Sequence, residues 1–150
     1  LVVNLEEKST GDFSISGVAK LGLLDMLVAQ GKAMGRTFVP DPNTQTGAFF
    51  RSDHFPMAKA GIPAVSFEPG IDLLNGGVAR GNALAEAYVK DRYHQPADEW
   101  SDDWDLSNVA PDLTLLYATG RTLADSRTWP EWSADSEFRA KRDESATLRK

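Results

Sequence analysis

The sequence predicts an α/β fold with three layers, in which helices flank a mixed central sheet. Two kinds of apolar pattern alternate along the chain. Short apolar runs typical of strands lie at 1–5, 12–16 and 62–67. Longer stretches with helical spacing lie at 18–34 and 108–125. Because elements of the two kinds alternate, we expect a sheet with helices packed against it.

Length and composition are those of one globular domain of 150 residues. The formal net charge of -6 argues against a general nucleic-acid surface, because phosphate binding needs clustered Lys and Arg. The sequence has no long uncharged apolar run that would predict a membrane span. The chain has no cysteine, which excludes disulfides and thiolate metal ligands. The sequence shows no signal peptide, and the opening Leu1-Val2-Val3 is typical of mid-domain sequence, so we expect a longer parent protein.

The first part of the chain is predicted to contain two strands and a long helix. Phe13 and Ile15 alternate onto one face of the strand at 12–16. The helix at 18–34 is expected to stop at Gly35. Gly31 inside this helix costs about 1 kcal/mol relative to Ala, so its last turns are expected to be weak.

The second part of the chain is predicted to be richer in loops. A short strand at 37–39 precedes a loop, and a glycine-rich loop without phosphate-loop spacing covers 71–80. A short helix is expected at 82–90, and 130–150 is expected to be a surface arm and tail with Phe138 as its apolar anchor. The long helix at 108–125 is predicted to turn one apolar face inward, formed by Val109, Leu113, Leu116, Tyr117 and Leu123.

The stretch from Phe49 to Val65 combines a polar group with signals for a short helix. Asp53 is placed to cap that helix, and Pro56 falls in its first turn, where a missing N–H costs little. Gly61 is expected to end the helix. The segment Arg51-Ser52-Asp53-His54 is therefore expected to lie on a rigid support, which is typical of functional residues.

A second polar segment, Arg92-Tyr93-His94-Gln95-Pro96-Ala97-Asp98-Glu99, follows about forty positions later. Taken with Ser52-Asp53-His54 and Gly61-Ile62-Pro63, it resembles the signatures of the MH-clan dinuclear zinc exopeptidases. That clan includes secreted bacterial aminopeptidases, glutamate carboxypeptidase and glutaminyl cyclase. The resemblance covers nearly the whole chain, and implies that residues 1–150 form the C-terminal part of a zinc-peptidase-like catalytic domain, hence a partial domain.

The resemblance implies zinc as the cofactor, with His94 as a ligand. Tyr93 would hydrogen-bond the scissile carbonyl as charge develops on its oxygen. Glu6, at the end of Asn4-Leu5-Glu6, would take the place of an Asp that ligates zinc in the family. A rival alignment matches Glu6 and Glu7 to the family's Glu-Glu pair, of which one is the general base and one a ligand. Asp98 is available to orient the His94 ring.

The resemblance also implies that Asp53 and His54 order the active-site wall and the pocket beside the metals. Arg51, Asp53 and His54 are therefore the candidate substrate-binding residues. Arg51 could meet a substrate carboxylate bidentately. Simpler structural roles stay open for all of these positions. His94 could be a surface histidine near a turn and Tyr93 a packed aromatic, and the other residues could form a helix cap and ordinary surface pairs.

The function that follows is zinc-dependent peptide hydrolysis of the aminopeptidase type, with a peptide as substrate. His94 and Glu6 give at most two of the three ligands of a catalytic zinc, so the isolated chain is expected to be inactive. The alternative is a catalytically inactive fragment, or a binding or scaffold module of the same fold. The resemblance favours a secreted or periplasmic protein. We also expect self-association through an exposed sheet edge, and no nucleic-acid or membrane partner.

Overall fold

A computed structural model describes residues 7–18, 21–102 and 104–149. The strand predicted at 1–5 and the candidate ligand Glu6 lie outside the described residues. Short 3-10 turns occupy 44–46, 48–51, 106–108 and 146–148. The strands and α-helices, in chain order, are β1 (Asp12–Ile15), α1 (Gly22–Ala33), β2 (Thr37–Phe38), α2 (Phe55–Lys59), β3 (Phe67–Pro69), α3 (Gly77–Asp91), α4 (Val109–Asp125) and α5 (Arg139–Asp143).

The strands form a mixed sheet in the order β2-β1-β3. The central strand β1 pairs in parallel with β2 and antiparallel with β3. The predicted α/β class with a mixed sheet is therefore confirmed, and three strands suit a partial domain of that class. Over the described residues, the longest helices are too short or too polar to cross a membrane.

Phe13 and Ile15 of β1 are buried together, as their alternation predicted. The Phe13 ring lies 5.7 Å from that of Phe38 and 6.0 Å from that of Phe67. A Cβ atom at Gly31 would lie 2.5 Å from the edge of the same ring. Gly31 therefore allows α1 to approach the sheet closely. The helix continues beyond it to Ala33, and the glycine expected to weaken the helix is required for its packing.

The inward face of α4 differs from the predicted one. Leu115 and Thr119 are buried, whereas Leu113, Leu116 and Tyr117 are exposed. Helix α1 packs against α4. Burying a threonine is inexpensive here because its Oγ1 donates to the Leu115 carbonyl oxygen at 2.9 Å. The middle of the predicted apolar face is thus exposed, whereas Val109 and Leu123 at its ends are half-buried.

The C-terminal arm, defined as residues 129–149, contributes Trp132 to the core, whereas many of its other residues are exposed. The prediction of a surface arm is wrong at Trp132, which is 2 % exposed. Its indole Nε1 donates to the carbonyl oxygen of Gly61 at 3.2 Å. Phe138 packs on Trp132 with ring centroids 4.9 Å apart and on the buried core, which confirms its predicted role as the anchor.

The strand predicted at 62–67 begins only at its last residue. Residues 62–66 are irregular, and β3 covers Phe67–Pro69. Pro63 has no N–H to give to a ladder, which disfavours pairing there. Pro69 is tolerated because β3 lies at an edge of the described sheet.

Helix α3 begins earlier than predicted, inside the segment expected to be a glycine-rich loop. Gly76 and Gly77 have positive φ values of 91° and 61°, which turn the chain into the helix. The N–H of Gly77 donates to the Leu73 carbonyl oxygen at 3.1 Å. The helix then runs to Asp91 and places the second polar segment at its C-terminal end.

Candidate functional site

The Ser-Asp-His segment (Ser52–His54) forms the turn between a 3-10 turn and α2. The Ser52 hydroxyl donates to the Ala48 carbonyl oxygen at 2.7 Å, and the Ser52 carbonyl accepts the Phe55 N–H at 3.0 Å. His54 occupies the position before the helix, and no side chain caps it. The predicted cap by Asp53 is therefore wrong, because Asp53 lies one residue too early, within the turn.

The predicted start and end of α2 are confirmed. Pro56 falls in its first turn. Gly61 follows the helix with φ of 81°, and its N–H donates to the Ala58 carbonyl oxygen at 2.8 Å. A Cβ atom at Gly61 would lie 2.6 Å from the backbone nitrogen of Arg142. Glycine is required here both by the backbone conformation and by the close approach of α5.

His54 is half-buried and packs against one aromatic side chain. Its ring stands edge to face on Phe49, with centroids 4.7 Å apart and an interplanar angle of 74°. Burial lowers the pKa of His54 below its ordinary value near 6.5, and the carboxylates of Asp53 and Glu68 oppose part of that shift. Nε2 is buried and has no hydrogen-bond partner among the described residues. His54 is thus a neutral part of the wall, with its Nε2 turned away from solvent.

A second polar contact beside this wall was missed by sequence reasoning. The Ser16 hydroxyl, at the end of β1, donates to the carboxylate of Glu68 in β3. This pair links two neighbouring strands and places a carboxylate near His54. In the sequence, Ser16 and Glu68 each stand at the end of an apolar run, and no pattern indicates that these two residues contact one another.

Arg51 is exposed at the start of the same segment. Its Nη2 donates to the Thr46 carbonyl oxygen at 3.0 Å and so braces the preceding loop. The guanidinium stays accessible to a carboxylate, as the predicted substrate contact requires. Asp53 is exposed next to it.

The Tyr-His loop, defined as residues 92–98, follows α3. His94 has φ of 58° and is the one non-glycine residue with a positive φ among those the structure describes. Its ring stacks on that of Tyr93, with centroids 3.9 Å apart and an interplanar angle of 21°. The Tyr93 N–H donates to the Tyr88 carbonyl oxygen at 2.9 Å, which ties the loop to the helix. His94 is exposed, and the Tyr93 side chain is 44 % exposed.

Asp98 has a different partner from the one expected. Its Oδ2 accepts the Tyr88 hydroxyl at 3.1 Å, instead of orienting the His94 ring. Burial raises the pKa of Tyr88, and the hydrogen bond to Asp98 raises it further. The phenol therefore stays protonated, and the bond closes the loop back onto α3.

The model of peptidase family M28 matches residues 2–118 of this chain. The matched span includes both the Ser-Asp-His segment and the Tyr-His loop. The chain belongs to peptidase family M28. This membership confirms the resemblance to the MH-clan zinc exopeptidases and supports peptide-bond hydrolysis as the function. Comparisons with curated proteins and with solved structures gave no match.

The described residues of this M28 chain do not by themselves fit a catalytic zinc. Such a zinc needs three protein ligands and an open position. Across 7–18, 21–102 and 104–149, no group of three or more His, Asp or Glu is placed to hold a metal ion. No hydrogen bond, ion pair or ring contact within those ranges joins His94 to the Ser-Asp-His segment. The ligand role of Glu6 stays a prediction, since that residue is outside the described ranges.

Proposed function

We propose that this chain forms part of the active site of a zinc-dependent aminopeptidase, in which His94 ligates zinc. Family membership supports peptide hydrolysis, and the backbone of His94 is the observation that carries the assignment. A residue with a Cβ atom rarely adopts a φ of 58°. Strained residues of this kind cluster at functional sites. The strain here accompanies an exposed imidazole that lies beside an accessible phenol.

Tyr93 is proposed to donate a hydrogen bond to the scissile carbonyl oxygen. Its ring is stacked on the imidazole and open to solvent, so the phenol can reach a group bound beside His94. A fixed donor at that position stabilises negative charge as it develops on the oxygen. The hydrogen bond from the Tyr93 N–H to α3 fixes the backbone that carries this donor.

Arg51 and Asp53 are proposed to bind the ends of the peptide. An aminopeptidase substrate presents a free ammonium group, which suits the exposed carboxylate of Asp53. A short peptide also presents a carboxylate, which suits the guanidinium of Arg51. His54 acts behind them as a half-buried part of the wall.

Zinc, when bound, would polarise the carbonyl and activate a water molecule. The described residues of this chain offer only part of a ligand set, so no step through the metal follows from them. We therefore propose that the other ligands are Glu6 and residues of the parent protein outside this 150-residue chain. With at most His94 and Glu6 as ligands, the isolated chain would hold zinc weakly.

The test compares the 150-residue chain with the full translation product of its gene. Both are assayed for zinc binding by calorimetry and for hydrolysis of amino-acyl anilides. The chain is expected to bind zinc weakly and to show no turnover. The full product is expected to show chelator-sensitive turnover that falls at least about 100-fold in His94→Gln, because a ligand should matter more than its outer-shell partners.

Glu99→Gln is the matched control, since it changes an exposed residue just after the Tyr-His loop. It should leave turnover unchanged. Chelator-sensitive turnover by the chain alone would refute the incomplete site. A full product that is active and indifferent to His94→Gln would refute the role of His94.

The second candidate function is a binding or scaffold module of the same fold without catalysis. It is favoured by the lack of a three-ligand group among the described residues. Metal content of the purified full product separates the two candidates. A metal-free product that binds peptides and hydrolyses none would support the module. Export from the cytoplasm is proposed for either case, on the resemblance alone.

A further inference from the structure

The C-terminal arm lies beyond the residues that match the family, yet it contacts the support of the Ser-Asp-His segment. Phe138 in the arm lies 5.9 Å from Phe49 and 6.3 Å from Phe55, between ring centroids. Phe49 in turn holds the ring of His54, 4.7 Å away. A continuous line of rings therefore runs from the arm to the wall of the candidate site.

The arm also contacts the other end of α2. The indole of Trp132 donates to the Gly61 carbonyl oxygen at 3.2 Å. The backbone of α5 comes so close to Gly61 that an added Cβ would lie 2.6 Å from the nitrogen of Arg142. The segment from Phe49 to Gly61 is thus held by the arm at both of its ends.

The arm is cross-linked internally and fixed to the first helix. The carbonyl oxygen of Glu131 accepts the Gly22 N–H at 3.1 Å, at the start of α1. Arginine side chains tie separate parts of the arm to one another through hydrogen bonds to carbonyl oxygens. The arm has three, from Arg139 to Trp132 at 2.8 Å, from Arg142 to Pro130 at 2.7 Å and from Arg149 to Arg142 at 2.7 Å.

We propose that the C-terminal arm is a positioning element of the substrate-binding wall, in which Phe138 fixes Phe49 and, through it, the ring of His54. The functional meaning of this role rests on the proposed function, because the wall is assigned there. Removing the Phe138 ring leaves a cavity beside Phe49, since packed interiors relax only partly. Phe49 then gains room to tilt, and water gains access to the His54 ring.

The test reads His54 directly by NMR. The sequence has two histidines, so ¹³C-labelled histidine gives two Cε1 signals, which His94→Gln assigns. Burial holds the pKa of His54 below its ordinary value against the carboxylates of Asp53 and Glu68. Loss of that burial in Phe138→Ala should therefore raise the His54 titration midpoint towards its ordinary value. The Cε1 chemical shift of His94 at a fixed pH should not change.

Two further variants separate positioning from general destabilisation. Phe138→Leu refills most of the space, so the His54 titration midpoint should return most of the way to its value in the unmodified chain. Leu27→Ala empties a buried site on α1 and should leave the midpoint where it is in the unmodified chain. A folded Phe138→Ala with an unchanged His54 midpoint and chemical shift would overturn the proposal.

If Phe138→Ala does not fold, Trp132→Phe tests the same idea at the other end of α2. It keeps a ring and removes the donor to Gly61. Amide exchange at Gly61 and Ile62 should then quicken about fivefold, the expected effect of one lost hydrogen bond, with α4 unchanged. Unchanged exchange would overturn the proposal. Neither readout needs zinc or substrate, so a failed peptidase assay alongside a moved His54 midpoint would refute the proposed function alone.

Discussion

A methyl group added at Gly31 should stabilise α1 through helix propensity but destabilise its packing against the sheet. Ala is favoured over Gly inside a helix by about 1 kcal/mol. At this position, however, the new Cβ would lie 2.5 Å and 2.6 Å from Cε1 and Cζ of Phe13. The Phe13 ring is fully buried, with Phe38 and Phe67 on either side and the guanidinium of Arg36 5.4 Å from its centroid.

Because the ring has no free space to move into, the overlap must be relieved by shifting α1 or by an unfavourable rotamer. Overpacking of this kind costs about 1–3 kcal/mol in excess of normal packing. Once the propensity gain of about 1 kcal/mol is subtracted, we expect Gly31→Ala to lower the free energy of unfolding by about 0–2 kcal/mol.

Gly120→Ala is the matched control, because Gly120 lies in the middle of α4, is exposed to solvent, and has no atom within 4 Å of an added Cβ. It should raise the free energy of unfolding by about 0.5–1 kcal/mol. Urea unfolding measures both variants through the midpoint at constant m-value. A Gly31→Ala chain as stable as Gly120→Ala would refute the packing argument. The double variant Gly31→Ala/Phe13→Leu should regain part of the stability lost in Gly31→Ala, because the two positions are in contact and their effects are coupled.

Four other outcomes are expected. Gly61→Ala should lower the free energy of unfolding by about 2–4 kcal/mol, because strain at a positive φ adds to a clash with the backbone of Arg142. Gly35→Ala has the same strain without a clash and should cost about 1–2 kcal/mol. Thermal unfolding of both variants should show this order. The pKa of His54 is lower in the folded chain than its ordinary value near 6.5, so the unfolded chain binds more protons as the pH falls below about 6.5. The free energy of unfolding should therefore decrease on acidification through this range. His54→Gln should remove this pH dependence from the urea midpoints. Arg36→Met leaves the largely buried carboxylate of Asp112 without its cation and should cost about 3 kcal/mol, much of it recovered by adding Asp112→Asn. The chain should self-associate through its sheet edge or its exposed apolar side chains, and sedimentation of a stable monomer at high concentration would contradict this.

Much of the fold follows from local pattern in the sequence. Alternation identified Phe13 and Ile15 as a buried pair, and glycine and proline marked both ends of α2. The inward face of α4 could not be predicted in the same way. Leu113 and Leu115 lie on different faces of this helix, and the position of α1 decides which face is buried. Burial of Trp132 has the same cause, because its partner Gly61 lies far away in the sequence.

The candidate site was recognised from residue types, whereas its contacts were not. Ser-Asp-His and Tyr-His stand out because polar residues follow one another beside turn formers. The pairing of Ser16 with Glu68, and of Phe49 with Phe138, joins positions that are distant in the sequence. One sequence has no pattern that links such positions. The capping role expected for Asp53 failed because a one-residue shift of the helix start moves the cap, and such boundaries are the least certain part of a sequence-based prediction.

The left-handed backbone of His94 means that stability and the proposed zinc role favour different residues at this position. Glycine there would remove a strain of about 1–2 kcal/mol, and asparagine would remove part of it. Either change would also delete the imidazole. Variants selected only for thermal resistance should therefore lose His94 readily, whereas variants selected for peptide hydrolysis should retain it and tolerate the strain. Sequencing the survivors of the two selections would show at this one position whether the chain is maintained as a scaffold or as an enzyme.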